Sequence, residues 1–66
     1  MEQQVTRNYL ISYGESVRTA RNKAKLTQIA LSRLIPCSQA IISHIEQGYM
    51  LPPPHILKSI HEILGV

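Results

Sequence analysis

The sequence contains no tryptophan and no phenylalanine, so any folded core has to be aliphatic. Its only aromatic residues are Tyr9, Tyr13 and Tyr49. A single cysteine, Cys37, cannot form an intramolecular disulfide, which excludes a disulfide scaffold and favours a reducing cytosol. Apolar runs such as residues 40–42 are far shorter than the roughly 20 residues of a membrane span. Since no signal peptide is visible either, we expect no membrane association.

Metal-binding and catalytic patterns are missing as well. Cys37, His44, His55 and His61 lack the close pairing of a zinc site, and no two histidines stand four residues apart. No acid pair, glycine-rich phosphate loop or nucleophile–base pattern stands out. The sequence therefore predicts a protein that is not an enzyme and has no metal or cofactor.

Size and charge limit the remaining choices. A chain of 66 residues forms one small domain, and a hydrophobic content of 44% argues against disorder. Seven basic residues against four acidic ones give a net charge of +3. A mild basic excess is compatible with a polyanionic partner but does not require one.

Apolar residues recur at helical spacing, whereas strand-like alternation and hairpin turn signals are absent, so an all-α fold is predicted. The pattern predicts four helices, at residues 6–22, 28–35, 39–46 and 53–64. Thr27 and Ser38 are N-cap candidates for the second and third helices. Pro36 disfavours helical geometry in the residue before it and ends the second helix, and Gly48 ends the third.

The segment TQIALSRLIPCSQAIISHIEQG, residues 27–48, resembles the helix-turn-helix of the lambda-repressor-like, or Xre-type, DNA-binding family. The matching residues are Thr27, Gln28, Leu31, Ile35, Cys37, Ser38, Ile42, Ser43, Ile45, Glu46 and Gly48. Further matches are Gly14, Val17 and Arg21 before the segment, and Pro52, Leu57, Ile60, Leu64, Gly65 and Val66 after it. The resemblance implies a compact DNA-binding domain of four to five helices at residues 13–66. Residues 1–12 are then an N-terminal extension, whose helical character the pattern leaves open.

Two departures from the family pattern bear on the expected fold. Pro36 stands in the turn where relatives usually carry glycine, often with a positive φ that proline cannot adopt. We therefore expect this turn to be built differently. The sequence stops at Val66, where relatives usually add a fifth helix, and the N-terminal extension is a candidate to replace it.

By resemblance, the helix at residues 39–46 enters the major groove of double-stranded DNA. The candidate DNA-contacting residues are Lys25, Gln28, Ser38, Gln39, Ala40, Ile41, Ser43, His44 and Tyr49. Gln39 can pair with adenine, and Ala40 can contact a thymine methyl. The glutamine matching Gln28 touches a phosphate in relatives and braces the recognition helix. Ser38 combines a cap with a phosphate contact.

Several of these assignments keep an alternative. Ile41 contacts either a thymine methyl or a protein, and His44 either faces DNA or is a solvated surface residue. Tyr49 contacts a phosphate or packs in its loop. Lys23 joins Lys25 as a better phosphate candidate than the other cations. Arg21 and Glu46 match a pair that forms a structural salt bridge between helices in relatives.

A surplus of apolar residues suggests a contact surface. Ile29, Leu34, Ile56 and Ile63 stand at positions that are usually polar in the family, and Tyr9, Leu10 and Ile11 precede the matched region. They either hold the extension against the last helix or form a homodimer interface, and they could also bind a protein partner. The predicted function is a cytoplasmic, nucleoid-associated transcriptional regulator of bacterial or phage type, acting as a repressor. The alternative is a protein-binding module of antitoxin or anti-repressor type.

Overall fold

Within residues 6–66 the fold consists of four α-helices, as the sequence predicted. The computed structural model describes residues 6–66, so the first part of the predicted extension, residues 1–5, lies outside the described residues. The helices are α1 (Arg7–Lys23), α2 (Gln28–Leu34), α3 (Gln39–Glu46) and α4 (Pro54–Leu64). No strand occurs in this part of the chain. The bounds of α3 are as predicted, and α1 runs without a break from the predicted extension into the predicted domain.

Capping residues explain where three of the helices begin. The hydroxyl of Thr6 accepts a hydrogen bond from the amide three residues later, as do those of Thr27 and Ser38, at 3.1, 3.0 and 3.3 Å. Because a cap residue is not itself helical, α1 begins one residue later than predicted. Pro54 takes the first helical position of α4, where its missing N–H leaves no donor unsatisfied.

The turn between α2 and α3 contains no left-handed residue. Ile35 was predicted to be the last residue of α2 but has extended backbone angles (φ −107°, ψ 109°), because Pro36 follows it. The amide of Ile35 still donates to Leu31 at 2.9 Å, and that of Cys37 donates to Ser32 at 3.3 Å. The turn is therefore built without a positive φ, as expected where proline stands in place of glycine.

A left-handed residue instead follows α1. Lys25 has a φ of 63°, and its amide donates to Asn22 at 3.0 Å. The next amide, from Leu26, donates to the carbonyl of Arg21 at 3.1 Å. This pair of bonds is a Schellman motif, in which glycine is the usual left-handed residue. The motif turns the chain sharply into α2.

The core is aliphatic and lies between the four helices. It consists of Val17, Leu31, Ile35, Ile42, Ile45, Ile56 and Ile60, all at most 3% exposed. The prediction that Ile56 belongs to the surface surplus is wrong: it stands four residues before Ile60 and therefore shares the inward face of α4. Ile29, Leu34 and Ile63 are exposed, as predicted.

Helices α1 and α3 cross at Gly14. A Cβ atom at this position would lie 2.7 Å from the carbonyl oxygen of Glu46 and closer still to that of Ile45. Because glycine has no side chain, the backbones of α1 and α3 can come into direct contact at this position. This contact fixes the position of α3 against the longest helix.

No helix within residues 6–66 is both long and apolar enough to cross a membrane.

Candidate nucleic-acid interface

Helix α3 has one buried and one open face. Ile42, Ile45 and Glu46 are buried, whereas Gln39 and His44 are exposed. The eight residues of the helix span about 12 Å at 1.5 Å per residue. The open face therefore presents polar side chains over a length similar to the width of a DNA major groove, about 12 Å.

Three side chains interact with the buried carboxylate of Glu46 at the end of α3. Arg21 donates to both of its oxygens, from Nε to Oε2 at 2.6 Å and from Nη2 to Oε1 at 3.1 Å. Gln28 donates from Nε2 to Oε1 at 3.0 Å, and Nε of Arg18 lies 3.5 Å from the same oxygen. The sequence-predicted partners Arg21 and Glu46 are thus in contact, and they tie α1 to α3.

Glu46 stays ionised despite its burial. Burial alone would raise the pKa of this carboxyl, but the hydrogen bonds from Arg21 and Gln28 and the charges of Arg21 and Arg18 outweigh it, so the pKa is lowered. The hydrogen bond to Glu46 correspondingly raises the pKa of Arg21. Arg21 also donates from Nη1 to the carbonyl of Leu26 at 2.7 Å, which supports the turn before α2.

Gln28 connects this buried ion pair to the exposed beginning of α3. A carboxylate can only accept, so the Gln28 amide must direct its nitrogen to Glu46 and its oxygen outward. That oxygen accepts from Nε2 of Gln39 at 3.2 Å. The orientation of both glutamine amides is therefore set by the charge of Glu46.

The other end of α3 is closed by Gly48 and Tyr49. Gly48 has a φ of 78°, and the amide of Tyr49 donates to the carbonyl of His44 at 2.9 Å. The rings of His44 and Tyr49 lie 5.9 Å apart at an angle of 50°. The guanidinium carbon of Arg7 lies 5.5 Å from the centre of the Tyr49 ring, so the start of α1 reaches this end of α3.

The remaining predicted contact residues differ in their solvent exposure. Ser38, Ala40 and Lys25 are exposed. Ile41 is half-buried and packs against the core, so only part of its side chain is available to DNA or to a protein. The hydroxyl of Ser43 accepts from Nε2 of Gln47 at 2.7 Å.

Two members of the site were not predicted from the sequence. Neither Arg18 nor Arg7 was singled out from the sequence, yet Arg18 lies beside Glu46 and Arg7 lies over Tyr49. Neither contact has a local sequence signal, because each joins residues far apart in the chain. Lys23, predicted to be a phosphate candidate, instead lines a groove between α1 and the end of α4.

Comparison with known families agrees with this geometry. No curated protein is significantly similar to the chain. A helix-turn-helix family model (HTH_3) matches residues 17–66, which include α2, α3, α4 and the end of α1. The chain therefore belongs to the lambda-repressor-like, Xre-type helix-turn-helix family of DNA-binding transcription regulators.

Proposed function

We propose that the protein is a sequence-specific regulator of the repressor type, of bacterial or phage origin, which binds duplex DNA with α3 in the major groove. The observation that carries this proposal is the connection from buried Glu46 through Gln28 to exposed Gln39. A polar side chain that is already oriented loses less conformational freedom on binding than a free one. The arrangement therefore favours a specific contact at the beginning of α3.

Gln39 retains the atoms that adenine recognition needs. One Nε2 hydrogen is used by Gln28, which leaves the second hydrogen and the amide oxygen free. These match the N7 acceptor and the N6 donor of adenine in the major groove. The methyl group of Ala40, next along the exposed helix start, suits a thymine methyl.

Phosphate contacts would hold α3 in register. The best candidates lie at the starts of α2 and α3, where helix N-termini favour anions: Lys25, Gln28 and Ser38. Gln28 keeps one N–H after donating to Glu46, and Lys25 is exposed in the turn that leads into α2. Ser43, His44 and Tyr49 belong to the same proposed surface.

The test is selection from random duplex DNA followed by affinity measurements on the enriched site. We expect Gln39→Ala to weaken binding by about 1–3 kcal/mol and to relax preference at one base position. Asn22→Ala is the control, since it removes an exposed side-chain amide from α1, outside the proposed surface, and should leave the motif unchanged. Failure of the wild-type chain to enrich any motif would refute sequence-specific binding.

A second proposal concerns assembly. Leu57 and Ile63 on α4 are 42% and 40% exposed, and Ile29 and Leu34 on α2 are 47% and 55% exposed. We propose that these apolar residues support a homodimer on a two-fold symmetric site, with half-sites about one helical turn apart. Sedimentation of the chain alone and on DNA tests this. A monomer in both states would contradict it, and binding to a protein but not to DNA would favour the antitoxin or anti-repressor alternative.

A further inference from the structure

The start of α1 packs against the loop that follows α3. A Cβ atom at Gly48 would lie 2.8 Å from Cγ1 of Ile11 and 2.9 Å from its Cα, so the loop backbone rests directly on α1. One helical turn before Ile11, Arg7 lies over the ring of Tyr49. Tyr49 in turn is held to α3 by its amide bond to His44. Arg7 is thus positioned relative to α3, although 32 residues or more separate it from that helix.

We propose that Arg7 binds a phosphodiester group of the same duplex whose bases face α3, with Tyr49 as its positioning residue. This inference rests on the proposed function. It adds to the DNA-binding surface a residue that precedes the family match at residues 17–66. The contact would lie at the C-terminal end of α3, opposite the one expected from Lys25 and Gln28.

The chemistry of the stack supports a phosphate as ligand. At 5.5 Å from the ring centre, the Arg7 guanidinium is held by a cation–π attraction, which leaves hydrogen-bonding capacity in its N–H groups. Those groups form a planar fork that matches two phosphate oxygens. Among residues 6–66, no carboxylate lies within ion-pair distance of Arg7, so its charge is not already neutralised there. Since neither its N–H groups nor its charge has a partner among residues 6–66, Arg7 is suited to an external anion.

The surroundings also place this charge on the DNA-facing side. His44 lies on the exposed face of α3 and contacts the same tyrosine ring. Tyr49 is 57% exposed, so the stack is at the surface and is not part of the core. A DNA backbone that runs past the end of α3 would therefore meet Arg7 and His44 together.

Lys23 provides a matched control on the same helix. It is exposed and carries the same charge, but it lies 16 residues along α1, about 24 Å from Arg7. It lines the groove with Leu64 and Val66, between α1 and the end of α4. Lys23→Ala therefore lowers the net charge as Arg7→Ala does, without touching the proposed contact.

The experiment measures binding of the full chain to its selected duplex, and to an unrelated duplex, from 50 to 200 mM salt. Each phosphate contact contributes about −0.9 to the slope of log K against log salt. We expect Arg7→Ala to weaken binding to both duplexes, to reduce the slope by about 0.9 and to leave the selected motif intact. The loss in affinity should therefore be about 3.5-fold larger at 50 mM than at 200 mM salt. Lys23→Ala should leave the slope unchanged.

Two tyrosine variants test the positioning role. Tyr49→Phe keeps the ring and should retain the slope of the wild type, whereas Tyr49→Leu removes the stack and should reduce it. In the Arg7→Ala background, Tyr49→Leu should cause no further change in slope. Circular dichroism melts identify any variant that has lost its fold.

The outcomes separate this proposal from the proposed function. A wild type that binds a motif, together with an Arg7→Ala variant of unchanged slope, would overturn the Arg7 contact and leave the function standing. Equal slope changes in Arg7→Ala and Lys23→Ala would also overturn it, because a general charge effect would then suffice. A wild type without DNA binding would remove both proposals.

Discussion

The guanidinium of Arg21 binds both carboxylate oxygens of Glu46, 25 residues further along the chain, at 2.6 and 3.1 Å. A negative charge in the last turn of a helix opposes the helix dipole, so Glu46 requires a nearby cation. Arg21 provides it from α1, where its side chain is only 11% exposed. The pair therefore fixes the end of α3 and, through Gln28, the orientation of Gln39 at its beginning.

Removal of this carboxylate should destabilise the domain. Glu46→Ala leaves Arg21 largely buried without its partner, which costs on the order of 3 kcal/mol. For a domain of this size, that corresponds to a fall in Tm of at least about 12 °C. Glu62→Ala is the control, since it removes an exposed carboxylate from α4 and should change stability by less than about 0.5 kcal/mol. Equal melting curves for the two variants would show that the pair contributes nothing.

The same pair predicts how stability depends on pH. The pKa of Glu46 is lowered on folding, so its stabilising contribution is complete above the unfolded-state pKa of about 4.3 and is lost as pH falls through the folded-state value. Thermal melts of wild type and Glu46→Gln should therefore differ most near neutral pH. The difference should shrink below about pH 4.3, because only the wild type has this carboxylate to protonate. A difference that stays constant down to pH 3 would contradict a lowered pKa.

Local sequence signals predicted the helices because caps and proline act within a few residues. Thr27 and Ser38 cap α2 and α3, and Pro36 ends α2. The burial of Ile56 was not predicted because the matching position is usually polar in the family, although its four-residue spacing to Ile60 places both on one helix face. Such spacing identifies a helix face, but whether that face is covered depends on how the other helices pack.

Gly14 shows a limit of intrinsic helix propensity. In an exposed helix, replacement of glycine by alanine stabilises by about 1 kcal/mol. Here the added Cβ would overlap backbone carbonyls of α3, so Gly14→Ala should instead destabilise by about 1–3 kcal/mol. Thr19→Ala, at an exposed position of α1, should be neutral or slightly stabilising. Chemical denaturation gives both free energies of unfolding, and a stabilised Gly14→Ala would mean that α1 and α3 are further apart.

Lys25 combines a strained backbone with a proposed phosphate contact, and two variants separate these roles. Lys25→Gly removes the left-handed strain of a residue with φ 63° and should stabilise the domain by about 1 kcal/mol. Lys25→Ala keeps the strain and should leave stability nearly unchanged. Both remove the charge, so both should weaken DNA binding alike and reduce the salt slope by about one. Equal stabilities would show that the left-handed conformation is not strained, and an unchanged slope would remove Lys25 from the interface.

The candidate site was only partly accessible from the sequence. The resemblance supplied Gln28 and Gln39 as separate contacts, but their hydrogen bond and its direction depend on the buried charge of Glu46. Arg7 precedes the matched segment, and its contact with Tyr49 depends on the close approach of Ile11 to Gly48. These relationships arise from packing between helices, which no short motif encodes.

The hydrogen bond between Gln28 and Gln39 predicts that the two residues act as a unit in DNA binding. Gln39→Ala in the wild-type background removes an oriented amide, whereas in the Gln28→Ala background it removes an amide that is already free to rotate. The second loss should therefore be smaller, with a coupling of at least about 0.5 kcal/mol in a double-mutant cycle on the selected duplex. Lys25 makes no hydrogen bond to Gln39, so the cycle of Lys25→Ala with Gln39→Ala should be additive within about 0.3–0.5 kcal/mol. If both cycles are additive, Gln39 binds its base without support from Gln28. The buried charge of Glu46 would then stabilise the fold but would not orient Gln39 for DNA binding.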